Sequence, residues 1–235
     1  MHKKPSNKLS TRSLTTRVKT AKKRKLSSTR WLQRQLNDPF VIEAKKLGYR
    51  SRAAFKLIAI DDQFKFLKPG KRVIDLGAAP GGWTQVAVDR VNSLGTLKGL
   101  SGKVIGIDLK EIDDIPGATL ITEDFMNFPS SKLIQSVLIE SADIILSDMA
   151  TAATGHTSTD HIRIMGLLEN AMEFAKTILS PGGVFLGKVL QGGTEKNLLK
   201  NMKRYFKTIK HVKPPASRSN SRENYVIAQG FRSKA

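Results

Sequence analysis

The stretch Val73-Ile74-Asp75-Leu76-Gly77-Ala78-Ala79-Pro80-Gly81-Gly82-Trp83 constrains the fold more than any other part of the chain. Val73 to Leu76 form a short apolar run, the pattern of a strand buried on both faces. Gly77 to Gly82 predict a tight turn, and Trp83-Thr84-Gln85-Val86-Ala87-Val88 open a helix. Strand, glycine-rich turn and helix in that order begin a nucleotide-binding α/β unit. Glycine in such a turn admits positive φ and close approach of a ligand to the backbone.

The turn is not a G-x-G-x-x-G, and it lacks a Gly-Lys-Ser/Thr ending. Pyrophosphate is held by a nest of free backbone N–H groups at a helix start. Pro80 removes one of those donors, so the turn suits a ligand without phosphates and disfavours a nicotinamide oxidoreductase. S-adenosylmethionine, built of adenine, ribose and methionine, fits that requirement.

Further apolar runs repeat the strand pattern. Val104-Ile105-Gly106-Ile107-Asp108 is a strand ending in an acid, the position from which a carboxylate accepts hydrogen bonds from ribose hydroxyls. Leu120 to Phe125 read as a third strand with its turn, and Ala142 to Ala150 as a fourth that delivers Asp148 at its carboxyl end. Ligand sites of open parallel sheets form there. Val184-Phe185-Leu186-Gly187-Lys188-Val189-Leu190 is a fifth strand. A lysine within it is costly unless paired or functional, which makes Lys188 the most informative single charge. Strands near Thr208–Val212 and Asn224–Ala228 are joined too closely for a helical crossover and are expected to pair antiparallel. Helices are expected over Trp31–Leu47, from Arg50-Ser51-Arg52 to about Leu67, over His161–Leu179 and over about Glu195–Tyr205. The glycine-containing stretch Ser93–Lys103 reads as a flexible loop, and residues 151–160 as a mobile loop over the site.

The chain has 235 residues, with 40 Lys and Arg against 20 Asp and Glu, a formal charge of +20 that points to a polyanionic partner. It has no cysteine, which excludes disulfides, thiolate metal sites and cysteine nucleophiles. His156 and His161, with only Asp160 beside them, are a weak metal signal, and no metal is expected. No acid precedes Asp38, and residues 1–30 are rich in Lys, Arg, Ser and Thr. They are expected to be a disordered basic arm that contacts phosphates, with residues 31–235 a single domain. An organelle transit peptide is the second reading of the arm. The apolar runs are too short for a membrane span.

Asp75-Leu76-Gly77-Ala78-Ala79-Pro80-Gly81-Gly82-Trp83 resembles the first motif of the FtsJ/RrmJ-type RNA 2′-O-methyltransferases, and the likeness extends from about Ser28 to Phe231. The resemblance implies a Rossmann-like class I methyltransferase fold: a mostly parallel seven-stranded sheet with an antiparallel last strand and helices on both faces. The family's Lys-Asp-Lys-Glu tetrad falls on Lys56, Asp148, Lys188 and Glu223. Their frames are Ser51-Arg52-Ala53-Ala54-Phe55-Lys56, Ser147-Asp148-Met149-Ala150, Gly187-Lys188-Val189 and Ser221-Arg222-Glu223-Asn224-Tyr225. Taken alone, Lys56 would read as a solvated helical lysine.

The implied reaction is in-line attack of a ribose 2′-hydroxyl on the sulfonium methyl of S-adenosylmethionine. Lys188 would act as base or, if it stays protonated, orient the hydroxyl and stabilise developing alkoxide character. Asp148 would position it, Glu223 would orient a lysine or the ribose, and Lys56 would balance charge and guide substrate. Burial and Lys56 would lower the Lys188 pKa, and Asp148 would raise it. Cofactor contacts are implied for Asp75, Gly77, Pro80, Gly81, Gly82, Trp83, Asp108, Asp124 (toward the adenine amino group) and Asp148. The implied substrate is a uridine in the A-loop of 23S rRNA within the 50S subunit, modified by a cytoplasmic monomer. A transfer RNA or mRNA cap substrate, or a non-catalytic assembly factor, are the alternatives. One departure stands out: the family's Asp-Met-Ala-Pro-Asn is replaced by Asp148-Met149-Ala150-Thr151-Ala152.

Overall fold

The computed structural model describes residues 16–20, 22, 25–151, 154–190, 196–219 and 221–232. Its elements are α1 (Leu26–Leu36), α2 (Pro39–Lys46), α3 (Ala54–Phe64), β1 (Arg72–Leu76), α4 (Gly82–Arg90), β2 (Lys103–Asp108) and β3 (Ala118–Thr122). There follow α5 (Lys132–Val137), β4 (Ala142–Ser147), α6 (Thr157–Ile178), β5 (Leu179–Leu190), α7 (Lys196–Tyr205), β6 (Phe206–Val212) and β7 (Glu223–Phe231).

The seven strands form one sheet in the order β3-β2-β1-β4-β5-β7-β6. β7 alone runs antiparallel, inserted between β5 and β6 and paired to both. This is the class I methyltransferase arrangement expected from the motifs. The order reverses between β1 and β4, so the crevice where ligands bind lies outside their carboxyl ends. Gly77 leaves β1 there and Asp148 leaves β4.

Two apolar cores cover the sheet. One packs α6 and α7 against it through Met165, Leu168, Met172, Leu198 and Met202. The other packs α3 and α4 through Leu57, Ile60, Val86 and Ala87. α3 holds Lys56, so its placement matters most for the site. Asp61 ends this helix: its buried carboxylate accepts from the N–H groups of Phe66 and Leu67 at 3.1 and 2.8 Å. Lys65 takes the left-handed conformation at the helix end, so α3 stops at Phe64 rather than running to Leu67.

Several boundaries differ from the sequence reading. The helix expected over Trp31–Leu47 is two helices, because Asp38 caps α2 by accepting from Phe40 N–H at 3.1 Å and Pro39 takes the first turn. α1 begins at Leu26, inside the arm expected to be disordered, since once a helix is nucleated each further residue adds a bond. Most of that arm lies outside the described residues. At its near end, the Thr16 carbonyl accepts from the side-chain amides of Gln33 (2.7 Å) and Asn37 (3.0 Å). α5 was not anticipated, although Ser131 marks its start by accepting from Ile134 N–H.

The expected flexible loop after α4 is a hydrogen-bonded one. The Asn92 amide donates to the carbonyls of Leu97 and Leu100 and accepts from Leu97 N–H. The Ser180-Pro181-Gly182-Gly183 stop signal lies within β5, where Ser180–Gly183 bulge out opposite the single residue Asp143. Of the loop expected over 151–160, Thr157 to Asp160 are the first turn of α6, and residues 152–153 fall outside the described ones. Among the described residues no helix is long and apolar enough to cross a membrane.

Replacing Asp61 by Ala strands two buried N–H groups at the end of α3. We expect Asp61→Ala to lower the unfolding free energy by about 2–4 kcal/mol in urea denaturation, with an unchanged m-value.

Candidate active site

Four elements each deliver one member of the tetrad. Asp148 follows β4, Lys188 lies within β5, Glu223 opens β7, and Lys56 sits in the first turn of α3. The antiparallel register of β5 and β7 sets Lys188 opposite Tyr225, with Glu223 two residues before it on the same face. Residues far apart in the chain therefore meet in one cluster.

The cluster is tightly connected. Lys188 Nζ lies 2.8 Å from Asp148 Oδ1 and donates to the Asp148 backbone carbonyl at 2.8 Å. Lys56 Nζ donates to Glu223 Oε2 at 2.8 Å and stands 3.7 Å from Asp148 Oδ2. Lys188 Nζ and Glu223 Oε2 are 3.7 Å apart. Ser217 Oγ donates to Glu223 Oε1 at 2.9 Å, and the Tyr225 hydroxyl donates to Asp148 Oδ1 at 2.7 Å. Both lysines are 9% exposed, so each charge is almost wholly compensated by the cluster rather than by water.

Tyr225 is the member that sequence reasoning passed over. It is fully buried, packs against Trp83 with ring centroids 5.6 Å apart, and lies under the Lys56 ammonium at 5.8 Å. The signal available was its position two residues after Glu223 on the same strand face. Burial and the neighbouring Asp148 and Glu223 raise its pKa well above the usual phenol value, so it stays a donor. Burial works against charge on Asp148, but Lys188, Lys56 and the hydrogen bonds from Lys188 and Tyr225 outweigh it and hold the carboxyl below its ordinary range.

A cavity of about 600 Å³ opens beside this cluster, within the range of small-ligand sites. Gly77, Asp108, Asp124 and Asp148 line it, with Met149 and Thr151. Asp108 holds the turn by accepting from Ala79 N–H at 2.9 Å, and Asp124 caps a short 3-10 turn by accepting from Met126 N–H at 3.0 Å. Gly77 is left-handed (φ +73°), and a Cβ there would stand 2.3 Å from Met149 Cγ. Buried Thr151 Oγ1 has no hydrogen-bond partner among the described residues. The cavity's size, its carboxylates and the tight glycine turn suit a cationic, phosphate-free nucleoside.

Asp75, Pro80, Gly81, Gly82 and Trp83 do not line this cavity. Trp83 Nε1 donates to the Ala53 carbonyl at 2.8 Å, which ties α4 to the start of α3. A Cβ on Gly82 would meet Ser51 Oγ at 2.3 Å, and one on Gly81 would meet Ile115 Cδ1 at 2.5 Å. Gly81, Gly82 and Trp83 thus pack the turn against its neighbours. Arg50 is likewise a clamp, donating to the carbonyls of Asp113 and Asp114 at 2.6 and 2.7 Å.

On the other side of the cluster lies a cleft of about 330 Å³ formed by Arg34, Arg52, Lys56, Arg218, Ser221 and Glu223. Asp38 anchors it from below. Its buried carboxylate takes both Arg52 and Arg218, while Arg52 also donates to the Ala216 carbonyl. The tetrad is thus the partition between a cavity lined by carboxylates and a cleft lined by guanidiniums. Asp160, between the two histidines, accepts from Thr154 N–H and Oγ1 at 2.8 and 2.7 Å.

Asp75 presents a different electrostatic case. It is 1% exposed, and its Oδ2 accepts from Thr84 Oγ1 at 2.7 Å. Burial pushes its carboxyl up to about 7; Asp148 and Asp108 push the same way, and the Thr84 bond opposes them. Its folded pKa exceeds its unfolded value, so the native state binds the extra proton. Stability then falls as pH rises from about 4 to about 7. We expect Asp75→Asn to flatten this slope, which urea denaturation at several pH values would measure. Below that window, stability is lost instead as Asp148 and Asp143, both lowered, take up protons. Tyr225→Phe removes a bond to a charged acceptor and should cost about 1.5–3 kcal/mol, again by denaturation.

Comparison with known proteins agrees with this geometry. Residues 49–231 match the FtsJ-like methyltransferase family. The ribosomal RNA large subunit methyltransferase E of Paramagnetospirillum magneticum is 59% identical over 94% of this chain and 90% of its own length. The protein of the same name from Ruegeria sp. is 52% identical over 99% of this chain and its own full length. A solved ribosomal RNA methyltransferase of Plasmodium falciparum superposes with a TM-score of 0.68 at 30% identity, covering 79% of this chain and all of that one. The chain belongs to the FtsJ-like methyltransferase family and takes S-adenosylmethionine as its methyl donor.

Proposed function

We propose that the protein transfers a methyl group to a ribose 2′-hydroxyl of large-subunit ribosomal RNA, with a uridine of the A-loop in the assembling 50S particle as its target. The observation that carries this reading is the position of Lys188. It lies in the partition between the carboxylate-lined cavity and the basic cleft, where a cofactor and an RNA would meet. The names of the relatives, at 52–59% identity, support the choice of RNA.

In this reading the cavity holds S-adenosylmethionine, with Asp108 toward its ribose, Asp124 toward its adenine and Asp148 near its positive centre. When bound, the cofactor supplies a methyl group already activated by a positive sulfur. RNA lies in the cleft, its phosphates met by Arg34 and by the half-exposed Arg218.

The chain's own groups handle the proton. Two directions around Lys188 Nζ are occupied by Asp148 Oδ1 and the Asp148 carbonyl. A neutral amine donates both its hydrogens that way, which leaves a lone pair to accept the 2′-hydroxyl proton. Glu223 and Asp148 compensate the second ammonium once it forms, and beforehand Lys56 offsets one of the two carboxylates. Asp148 itself is held by Tyr225, so the base is aimed by a bonded frame. All four tetrad residues come from one chain, so a monomer is sufficient, acting in the cytoplasm where its particles are built.

The test uses purified protein, tritiated S-adenosylmethionine and large subunits from cells lacking this enzyme, followed by digestion to nucleosides. Label on a 2′-O-methyluridine is expected. Label confined to transfer RNA or capped RNA would overturn the substrate. Lys188→Ala should reduce transfer about 10²–10⁴-fold or more while retaining cofactor binding. Wild-type turnover in that variant would remove Lys188 as base.

A further inference from the structure

From Lys196 to Arg222 the chain contains no Asp or Glu but nine Lys and Arg. This run includes α7, β6 and the loop that carries Arg218 to the cleft. On α7 the exposed positions are Lys196, Lys200, Lys203 and Arg204 with the uncharged Asn197, and on β6 Lys207 is exposed beyond them. Among the described residues none of these five cations forms an ion pair. The nearby α6 adds no free carboxylate at Tyr205: Lys176 stacks on that ring at 4.7 Å and takes Glu173.

A basic amphipathic helix can serve a lipid surface or a peptide-binding groove, but only by offering its apolar face. Here that face is spent. Leu198 and Met202 are 5% and 0% exposed, within the core that α7 shares with α6 and β6. What remains outside is cationic. Residues four apart on one helical stripe rise by about 6 Å, comparable to the step between phosphates on one strand. The large aromatic rings of the patch are withdrawn from solvent: Phe206 is buried, and Tyr205 is stacked on Phe231 beneath Lys176. Only the His211 imidazole, at the far end of β6, is exposed among the described rings there, so the patch offers no stacking platform for a run of unpaired bases.

We propose that the outer stripe of α7, with the edge strand β6, is a second RNA-binding face that grips the backbone of double-helical RNA outside the catalytic cleft. The inference rests on the reading of the protein as an RNA methyltransferase. β5 ends at the site, α7 leads away from it and β6 returns alongside, so the face continues from the catalytic end down the edge of the sheet. It gives affinity without reading sequence. The cleft then selects the nucleotide, while α7 and β6 hold a neighbouring helix of the same RNA.

The experiment uses the full chain with Lys196→Gln, Lys200→Gln, Lys203→Gln and Lys207→Gln combined. A control carries Lys45→Gln, Lys46→Gln, Lys65→Gln and Lys68→Gln, the same charge change on α2 and beyond α3. Binding to a labelled RNA duplex is followed by anisotropy as a function of salt, with S-adenosylmethionine affinity measured alongside. The patch variant should lose duplex affinity by on the order of 10³-fold or more at low salt, and its salt slope should fall by about one unit per lysine. The control should lose far less, and cofactor affinity should stay the same in both.

Equal losses in the two variants would reduce the effect to net charge and overturn the proposal, as would no loss in the patch variant. So would binding to phosphatidylserine vesicles that the patch variant alone abolishes without a change in duplex affinity. A wild-type protein that binds duplex RNA through this face but labels no RNA would sink the proposed function and leave the face standing.

Discussion

The site depends on one arrangement: two lysine side chains and two carboxylates interleaved where little water reaches them. A buried charge left alone costs several kcal/mol. Here each is bonded to, or faces, an opposite charge at 2.8–3.7 Å. No member can be moved without uncovering another. The requirement extends to the fold, because each charge arrives on a different element. β7 must enter the sheet antiparallel between β5 and β6 for Glu223 and Tyr225 to reach Lys188. α3 must begin close to the turn after β1 for Lys56 to reach Glu223. The small residues near that turn satisfy this second need, since Gly82 admits Ser51 and Trp83 fastens Ala53.

Asp148 and Asp75 show how environment divides one residue type between tasks. Asp148 is shielded from water yet stays charged, because two lysines and a phenol face it. Asp75, one strand away, has hydrogen bonds from Thr84 but no facing cation, and burial pushes its carboxyl up to about 7. A second full negative charge beside Asp148 and Asp108 would compete for the same lysines. A carboxyl that tends to be neutral supports the turn through Thr84 without that competition. The cluster's charge balance is therefore protected by the strand beneath the cofactor cavity.

The sequence made the costly residues conspicuous. Lys188 in an apolar strand, an acid at two strand ends and a turn of glycines with one proline are each unfavourable without a role. Together they outline the sheet and two of the four tetrad positions, Asp148 and Lys188; Lys56 and Glu223 come from the family resemblance alone. Residues whose cost vanishes in the unfolded chain were silent. Tyr225 looks like an ordinary strand aromatic until the β5–β7 register sets it against Lys188. Asp38, Arg52 and Arg218 look like surface charges until α2, α3 and the loop before β7 converge on one carboxylate. Local signals were also present and outvoted: Asp38-Pro39 marks a helix start inside the apolar pattern of Trp31–Leu47, and Ser131 marks α5. The bulge in β5 arises from a register that only the neighbouring strand defines.

The chain's formal charge of +20 is divided by the fold into two kinds. Lys56, Lys188, Arg50 and Arg52 are spent inside on carboxylates, carbonyls and packing, so they shape the site and contribute little long-range field. The cations of α7 and β6 are left outside, where a field acts on a polyanion before contact. The near end of the arm is fastened at Thr16 by Gln33 and Asn37, both on the wall of a groove that also includes Arg52 and Arg218. The basic edge of α7 and β6 leads away from the cleft. In the function proposed above, affinity for RNA is thereby separated from the buried charges of the tetrad, and each set can change without disturbing the other.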